Sequence, residues 1–366
     1  MPNVDYRVVS SDSHVVEPHD LWQRRLPAPF RDRAPRLARE AHSDVLLCDD
    51  VPMPPVGLLA GCYRADGDQR RDGRWDEDVP VAAYDPDVRL TEIARDGVDA
   101  EVLYPTLGMR LFPIEDRDYL WALFQAYNEW LAEDFCAVHP ERFFGIAMID
   151  PEDVDLAIAE ITRARELGLV GFMVPMYCGE IPYHDAHFDP LWSAAVDLQM
   201  PVNLHLTTSR ANTSRYGKTL PSLGSMMAGA AGIQPILLDL IAYGLFDRFP
   251  ELQVVSAEND AGWAAHVMET ADYSWHRIYH FEGVKSAQEP SHYFRNNIKL
   301  TFMRDRAAIL GREITGTDPL MWGNDYPHTV STWPNSQALL DRQLHDQPAD
   351  VRDAVVCGNV RALYGF

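Results

Sequence analysis

"SSDSHVVEP", Ser10 to Pro18, follows the apolar run "YRVV", Tyr6 to Val9, and this stretch decides how the rest is read. The run reads as a first strand, and in a strand residues i and i+2 point to the same face. Asp12 and His14 then converge on one point at the strand's end, as ligands of a metal ion would. Taken alone, the pair has a second reading: an aspartate that starts a turn, followed by an exposed histidine, since polar pairs at strand ends are common. The choice depends on whether other ligating side chains arrive at the same place.

Working outward, short apolar runs alternate with helical stretches. "AEVLYP" (100–105), "FFGIAMID" (143–150), "LVGFMVPM" (169–176) and "PVNLHL" (201–206) read as strands two to five. "LQVVSAEND" (252–260), "NIKLTFM" (297–303) and "PLMWGND" (319–325) read as strands six to eight. Between them "DVRLTEIARDG" predicts a helix closed by Gly97, and "RDYLWALFQAYNEWLAEDFCAVH" predicts a helix of about six turns. "PEDVDLAIAEITRARELG" predicts another, with Pro151 at its start and Gly168 at its end. Eight strands separated by helices predict a (β/α)8 TIM barrel in one domain, 1–366, ending in a C-terminal helical segment. A doubly wound open sheet is the alternative, weakened by the lack of any GxGxxG at a strand-to-helix turn. The polar, Pro-rich segment of roughly 18–85 reads as an insertion or lid after strand one, with Trp22, Tyr63 and Trp75 as aromatic packing over the barrel mouth.

The 366 residues are 46% hydrophobic, enough for a sizeable core. The net charge of −23 repels nucleic acid and anionic membrane surfaces, so neither is expected as a partner. A small anionic substrate stays compatible, because a local arginine or metal overrides the global sign. Five widely spaced cysteines without a CxxC pair predict free thiols in a reducing cytoplasm. No basic-then-apolar leader and no run of about 18 apolar residues appears, so a soluble cytoplasmic protein is expected.

In a barrel, catalytic side chains sit at the C-terminal ends of the strands. Strand one ends in Asp12 and His14, with Glu17 close behind. Strand five carries His205, strand six Glu258, Asn259 and Asp260, and strand eight Asp325 and His328. Asp150, ending strand three, reads as the cap of the helix starting at Pro151. Two histidines with carboxylates suit Zn2+ or Mn2+, with one or two positions left for water and substrate. His205 alone could equally be a hydrogen-bonded core histidine, and Asp325 before Tyr326-Pro327 a turn residue. Their joint arrival at strand ends favours the metal site.

"DSHVVEP", "PVNLHL", "RFPELQVVSAENDAGW" and "LMWGNDYPHTVSTWP" resemble the successive motifs of the amidohydrolase superfamily. The branch most similar contains aminocarboxymuconate semialdehyde decarboxylase and aromatic-acid decarboxylases such as γ-resorcylate decarboxylase. The resemblance runs from Asp12 to the terminal "GNVRALYGF". It implies Asp12, His14, His205 and Asp325 as metal ligands, and a homodimer. It implies one divalent ion, because binuclear members commonly bridge two metals with a carbamylated lysine on strand four, and "GFMVPMY" has no lysine. Two positions depart from the branch. Asp12 stands where His or Glu is usual, and Glu258 stands where a strand-six histidine is frequent. Glu258 has three readings: an acid or base, an additional ligand, or a support for Trp263 and its loop.

The resemblance implies a metal-dependent, non-oxidative decarboxylase (carboxy-lyase) of a small aromatic or unsaturated acid, with Asp325 or Glu258 as the proton donor. The same ligands would serve a hydrolase of a C–N, C–O or C–C bond, and a catalytically inactive binding barrel is a third reading. Arg110, Arg210 and Arg304 are candidates to pair with a substrate carboxylate, against the alternative of surface arginines. His328 would contact substrate or support Asp325, and Trp263 is a candidate substrate contact. His184 and His187 read as loop and helix-start residues, and His276 and His280 as helix-surface or core-edge residues.

Overall fold

In the computed structural model, residues 5–49, 51, 53–65, 68–210, 223–278 and 283–366 are described. The apolar runs form eight parallel strands paired in chain order, with helices between them, so the expected TIM barrel is the architecture. The strands are β1 Val9–His14, β2 Ala100–Tyr104, β3 Phe143–Met148 and β4 Gly171–Tyr177. They continue with β5 Val202–Ser209, β6 Val254–Ala257, β7 Ile298–Phe302 and β8 Leu320–Trp322. Most of their residues are buried, which is why parallel strands read as apolar runs rather than as alternating patterns.

The seam between β8 and β1 is joined by serine hydroxyls and loop amides. Ser11 Oγ donates to Trp322 O at 2.9 Å and Asn324 N donates to Ser10 Oγ at 2.9 Å. Asp325 N donates to Asp12 O at 2.8 Å and His14 N to Tyr326 O at 2.7 Å. Gly323 allows this approach: a Cβ there would lie 2.6 Å from Asp12 Cβ. The serines of "SSDSH" thus hold the two strand ends that carry the aspartates.

A buried ion pair supports the same end of β1. Arg89 Nε and Nη2 donate to the two Glu101 oxygens at 2.7 and 3.1 Å, and Nη1 donates to His14 O at 3.0 Å. Both side chains are fully buried, so each charge depends on the other. Inside the barrel, Asn203 Oδ1 accepts from Tyr104 and Tyr364 hydroxyls, both at 2.7 Å, which ties the C-terminal helix into the barrel.

Four expectations about local structure are corrected. The helix expected from Pro151 starts at Val154, because Asp153 caps it by accepting from Leu156 N at 3.0 Å. Asp150 is not that cap, and its carboxylate pairs instead with Arg117 at 2.8 Å. The six-turn helix is regular only over Arg117–Trp130, then widens into a π turn at Leu131–Phe135 and tightens into a 3-10 turn at Cys136–Val138. In the insertion, Trp22 is core rather than mouth: it is fully buried and its Nε1 donates to Leu123 O at 3.1 Å. Trp75 is also buried, packed edge-on against His19. Tyr63 does reach the loop after β8, with a hydroxyl hydrogen bond to Tyr326 and its ring 4.4 Å from that of Trp333. The same segment forms a small antiparallel ribbon, Arg36–Arg39 against Asp44–Leu47.

Candidate active site

Closure of the barrel brings Asp12 and His14 from β1, His205 from β5, Glu258 beyond β6 and Asp325 beyond β8 into one cluster. His14 Nε2 lies 3.6 Å from Asp12 Oδ1 and 3.3 Å from Asp325 Oδ1. His205 Nε2 lies 3.5 Å from Asp12 Oδ1, and its Nδ1 is 3.8 Å from Glu258 Oε2. The two imidazoles meet edge to face with centroids 5.0 Å apart.

Each histidine has its outer nitrogen against a backbone carbonyl: His14 Nδ1 at 2.9 Å from Pro105 O, His205 Nδ1 at 3.0 Å from Leu206 O. A carbonyl only accepts, so Nδ1 carries a proton, and when the ring is neutral, as a metal ligand must be, its Nε2 lone pair faces inward. Asp12 Oδ1, His14 Nε2, His205 Nε2 and Asp325 Oδ2 are all buried without a hydrogen-bond partner. Four orphaned donor atoms of N2O2 type, carried by β1, β5 and the loop after β8, fit a divalent cation of the zinc or manganese kind. Ligand atoms of Asp12, His14 and His205 lie within 4.8 Å of one another, as do those of His14, Asp325 and His328.

The electrostatics point the same way. Burial opposes a charged imidazole on His14, yet its contacts with Asp12 and Asp325 outweigh this and raise it to about 10. Burial works against ionised Asp12, but His14 and His205 hold it well below the usual carboxylate range. Asp325 is lowered too, His328 and His14 prevailing over burial. The cluster therefore calls for a positive charge at its centre. Glu258 behaves oppositely: burial, then the neighbouring Asp325 and Asp12 charges, push its carboxyl well up. Its side chain is 16% exposed, against 3% for Asp12 and 0% for Asp325, so it alone of the three meets solvent. Both Glu258 (φ +58°) and Asp325 (φ +53°) adopt left-handed backbone conformations, which turn the chain sharply at the strand ends.

Two supports surround the cluster. His328 Nδ1 contacts Asp325 Oδ1 at 2.8 Å, its Nε2 contacts Thr106 Oγ1 at 3.0 Å, and its ring lies 4.0 Å from that of His14. Thr301 Oγ1 donates to Asp12 Oδ2 at 2.7 Å. Sequence reasoning missed Thr301; its one signal was a lone hydroxyl in the otherwise apolar end of "NIKLTFM".

The candidate arginines have different surroundings. Arg210 Nε pairs with Glu152 Oε1 at 2.8 Å and its Nη1 donates to Ile114 O at 3.2 Å. Arg304 donates to Val330 O and Ser331 O at 2.6 and 2.7 Å, strapping the loop after β8. Arg110 has no hydrogen-bond or ion-pair partner among the described residues, is open to solvent, and is near enough to Glu258 to feel its charge. Although Arg110 is exposed, the protein packed around it lowers its pKa and the Glu258 charge opposes this. Trp263 Nε1 donates to Asn259 O at 2.9 Å and so holds the loop that follows Glu258. Of the other histidines, His184 stacks on Tyr243 with centroids 3.8 Å apart, His187 N donates to Asp185 Oδ1 at 2.9 Å, and His276 pairs with Glu289 at 2.6 Å. His280 lies outside the described residues.

An eight-stranded barrel with histidines and carboxylates at its strand ends defines the class of metal-assisted barrel enzymes. Residues 78–366 match the family model described as Amidohydrolase, and the chain belongs to that family. It is 27% identical over 277 residues to a γ-resorcylate decarboxylase from Rhizobium sp. (strain MTP-10005), covering 70% of this chain and 82% of that protein. Its fold is similar to that of an amidohydrolase from Mycobacterium avium subsp. paratuberculosis K-10, with a TM-score of 0.78, 19% identity, and 99% of each chain covered. A 5-carboxyvanillate decarboxylase from Novosphingobium aromaticivorans, complexed with manganese and 4-hydroxy-3-methoxy-5-nitrobenzoic acid, has a TM-score of 0.70 at 19% identity, covering 99% of this chain and 96% of that one. No helix among the described residues is long and apolar enough to cross a membrane.

Proposed function

We propose that this protein is a metal-dependent, non-oxidative decarboxylase of a small aromatic acid. The observation that carries the reading is the set of four buried, unpartnered donor atoms on Asp12, His14, His205 and Asp325. These residues would hold one divalent ion, and both manganese and zinc suit the donor set. The ion, when bound, would withdraw electron density from a substrate oxygen. The similarity to a γ-resorcylate decarboxylase supports an aromatic acid over other substrates.

The chain's own groups supply the remaining chemistry. Asp325 is sealed and engaged by His14 and His328, which suits a fixed carboxylate and not a proton donor. Glu258 lies beside His205 and meets solvent, so it can deliver a proton to the ring carbon that bears the carboxylate and recover one from water. Protonation at that carbon lets the C–C bond to the carboxylate break, releasing CO2 and restoring the aromatic ring. Arg110, unpaired among the described residues and near enough to Glu258 to feel its charge, would receive an anionic group of the substrate. The free cysteines fit a reducing cytoplasm.

The test is a screen of hydroxybenzoates, semialdehyde acids, amides and lactones that follows CO2 and hydrolytic products together. CO2 release from a hydroxybenzoate is expected. Hydrolysis of an amide or lactone without CO2 release from any acid would overturn the reading in favour of a hydrolase.

A further inference from the structure

We propose that Glu17 is a positioning residue for Arg110, acting through the backbone of the loop that follows β2. This rests on the reading of Arg110 as the anion-binding group of the site. Glu17 is fully buried just beyond β1, where no part of the proposed chemistry uses it. Its Oε2 accepts from Leu107 N at 2.8 Å and Thr106 N at 3.3 Å, and its Oε1 accepts from Gly108 N at 2.8 Å. These amides open the 3-10 turn Gly108–Arg110, whose first N–H groups have no partner within the turn.

Among the described residues no basic side chain pairs with Glu17, so a buried carboxylate is spent wholly on three backbone amides. Burial penalises its charge and those amides oppose the penalty. A group placed at that cost holds its loop to one conformation. Gly108 leaves little slack, because a Cβ there would lie 2.4 Å from Met148 Sδ and 3.0 Å from Glu17 Oε1. The far end of the same turn is Arg110, exposed, unpartnered and in the field of Glu258. With its root pinned by Glu17, the turn presents Arg110 just beyond the C-terminal end of β2, where no side chain among the described residues pairs with it. Pinning of this kind lowers the ordering cost of binding an anion.

The test uses metal-loaded protein and two non-reacting probes, benzoate and its neutral isostere benzamide, with affinity read by calorimetry and metal content by elemental analysis. Arg110→Gln should weaken benzoate by about 10-fold or more and leave benzamide unchanged. Glu17→Gln, whose amide NH2 must face a backbone N–H, should weaken benzoate in the same selective way. In the double variant the two losses should not add, because Glu17 acts through Arg110. If Glu17→Gln does not fold, Glu17→Asp serves, since the shorter carboxylate withdraws from the same amides. Additive losses, equal weakening of both probes, or loss of metal from the Glu17 variant would overturn the proposal. Because the readout is binding, a protein that releases no CO2 but shows this pattern would refute the decarboxylase reading and keep the role of Glu17.

Discussion

Thr301 Oγ1 donates to Asp12 Oδ2 at 2.7 Å and accepts from Glu258 N at 2.8 Å. One hydroxyl on β7 therefore sets both the carboxylate on β1 and the backbone of the residue beyond β6. Thr301→Val keeps the shape and removes that link. Metal affinity, measured by competition with a chelator, should fall roughly 10- to 100-fold while the fold is retained. An unchanged affinity would show that the hydroxyl does not orient Asp12.

Glu258→Gln should leave metal content unchanged and lower the rate of CO2 release by about 10²- to 10⁴-fold. The substitution keeps the side chain's size but removes its proton. If the rate holds, the proton comes from another group.

Arg89→Met leaves Glu101 charged and buried without a partner, and also withdraws the donor to His14 O. The unfolding free energy from denaturant titration should drop by about 3–5 kcal/mol. Arg89→Met combined with Glu101→Leu should recover much of that loss, because no orphaned charge is then left in the core.

Removing the metal should destabilise the fold, since the ion binds the native cluster and not the unfolded chain. Thermal midpoints should fall on chelation and return when Mn2+ or Zn2+ is restored; free metal at 100 times its Kd is worth about 2.7 kcal/mol. Identical midpoints with and without chelator would speak against a resident ion.

The metal-free protein should also acquire a pH dependence of its own. The folded His14 is raised from 6.5 to about 10 against burial, by Asp12 and Asp325. A folded pKa above the unfolded one means that its contribution is fully present below about 6.5 and lost as pH rises through about 10. Metal-free protein should therefore lose stability from neutral to alkaline pH. Metal-loaded protein, in which the ion supplies the positive charge, should show less of this decline. Parallel curves would remove His14 from the cause.

The legibility of the site follows the range of the interactions involved. Asp12 and His14 are two residues apart on one strand, so strand geometry predicts their convergence before any fold is known. That His205 and Asp325 come near them was readable because a barrel sends every strand end to the same face. The start of the helix at Val154 was misread because Asp150 and Asp153 are both good capping residues and Pro151 suits a helix start, and which aspartate caps depends on where the chain leaves β3. Trp22 was misplaced for a similar reason: a polar, Pro-rich composition says that a segment is not strand or helix core, but not which of its aromatic side chains dock onto the barrel.

What the sequence determined by itself was the alternation of strand and helix and the side chains that ride on each strand end, since both are set by periodicities of two and about 3.6 residues. Only the tertiary structure decided that Arg304 serves the loop after β8, that Arg210 pairs with Glu152, and that Arg110 has no pairing partner among the described residues. The same holds for Thr301 beneath Asp12 and for Glu17 beneath the turn of Arg110. These partners lie tens to hundreds of residues apart in the chain. A hydrogen bond needs its two atoms within a few tenths of an ångström of one distance, and no sequence spacing carries that information.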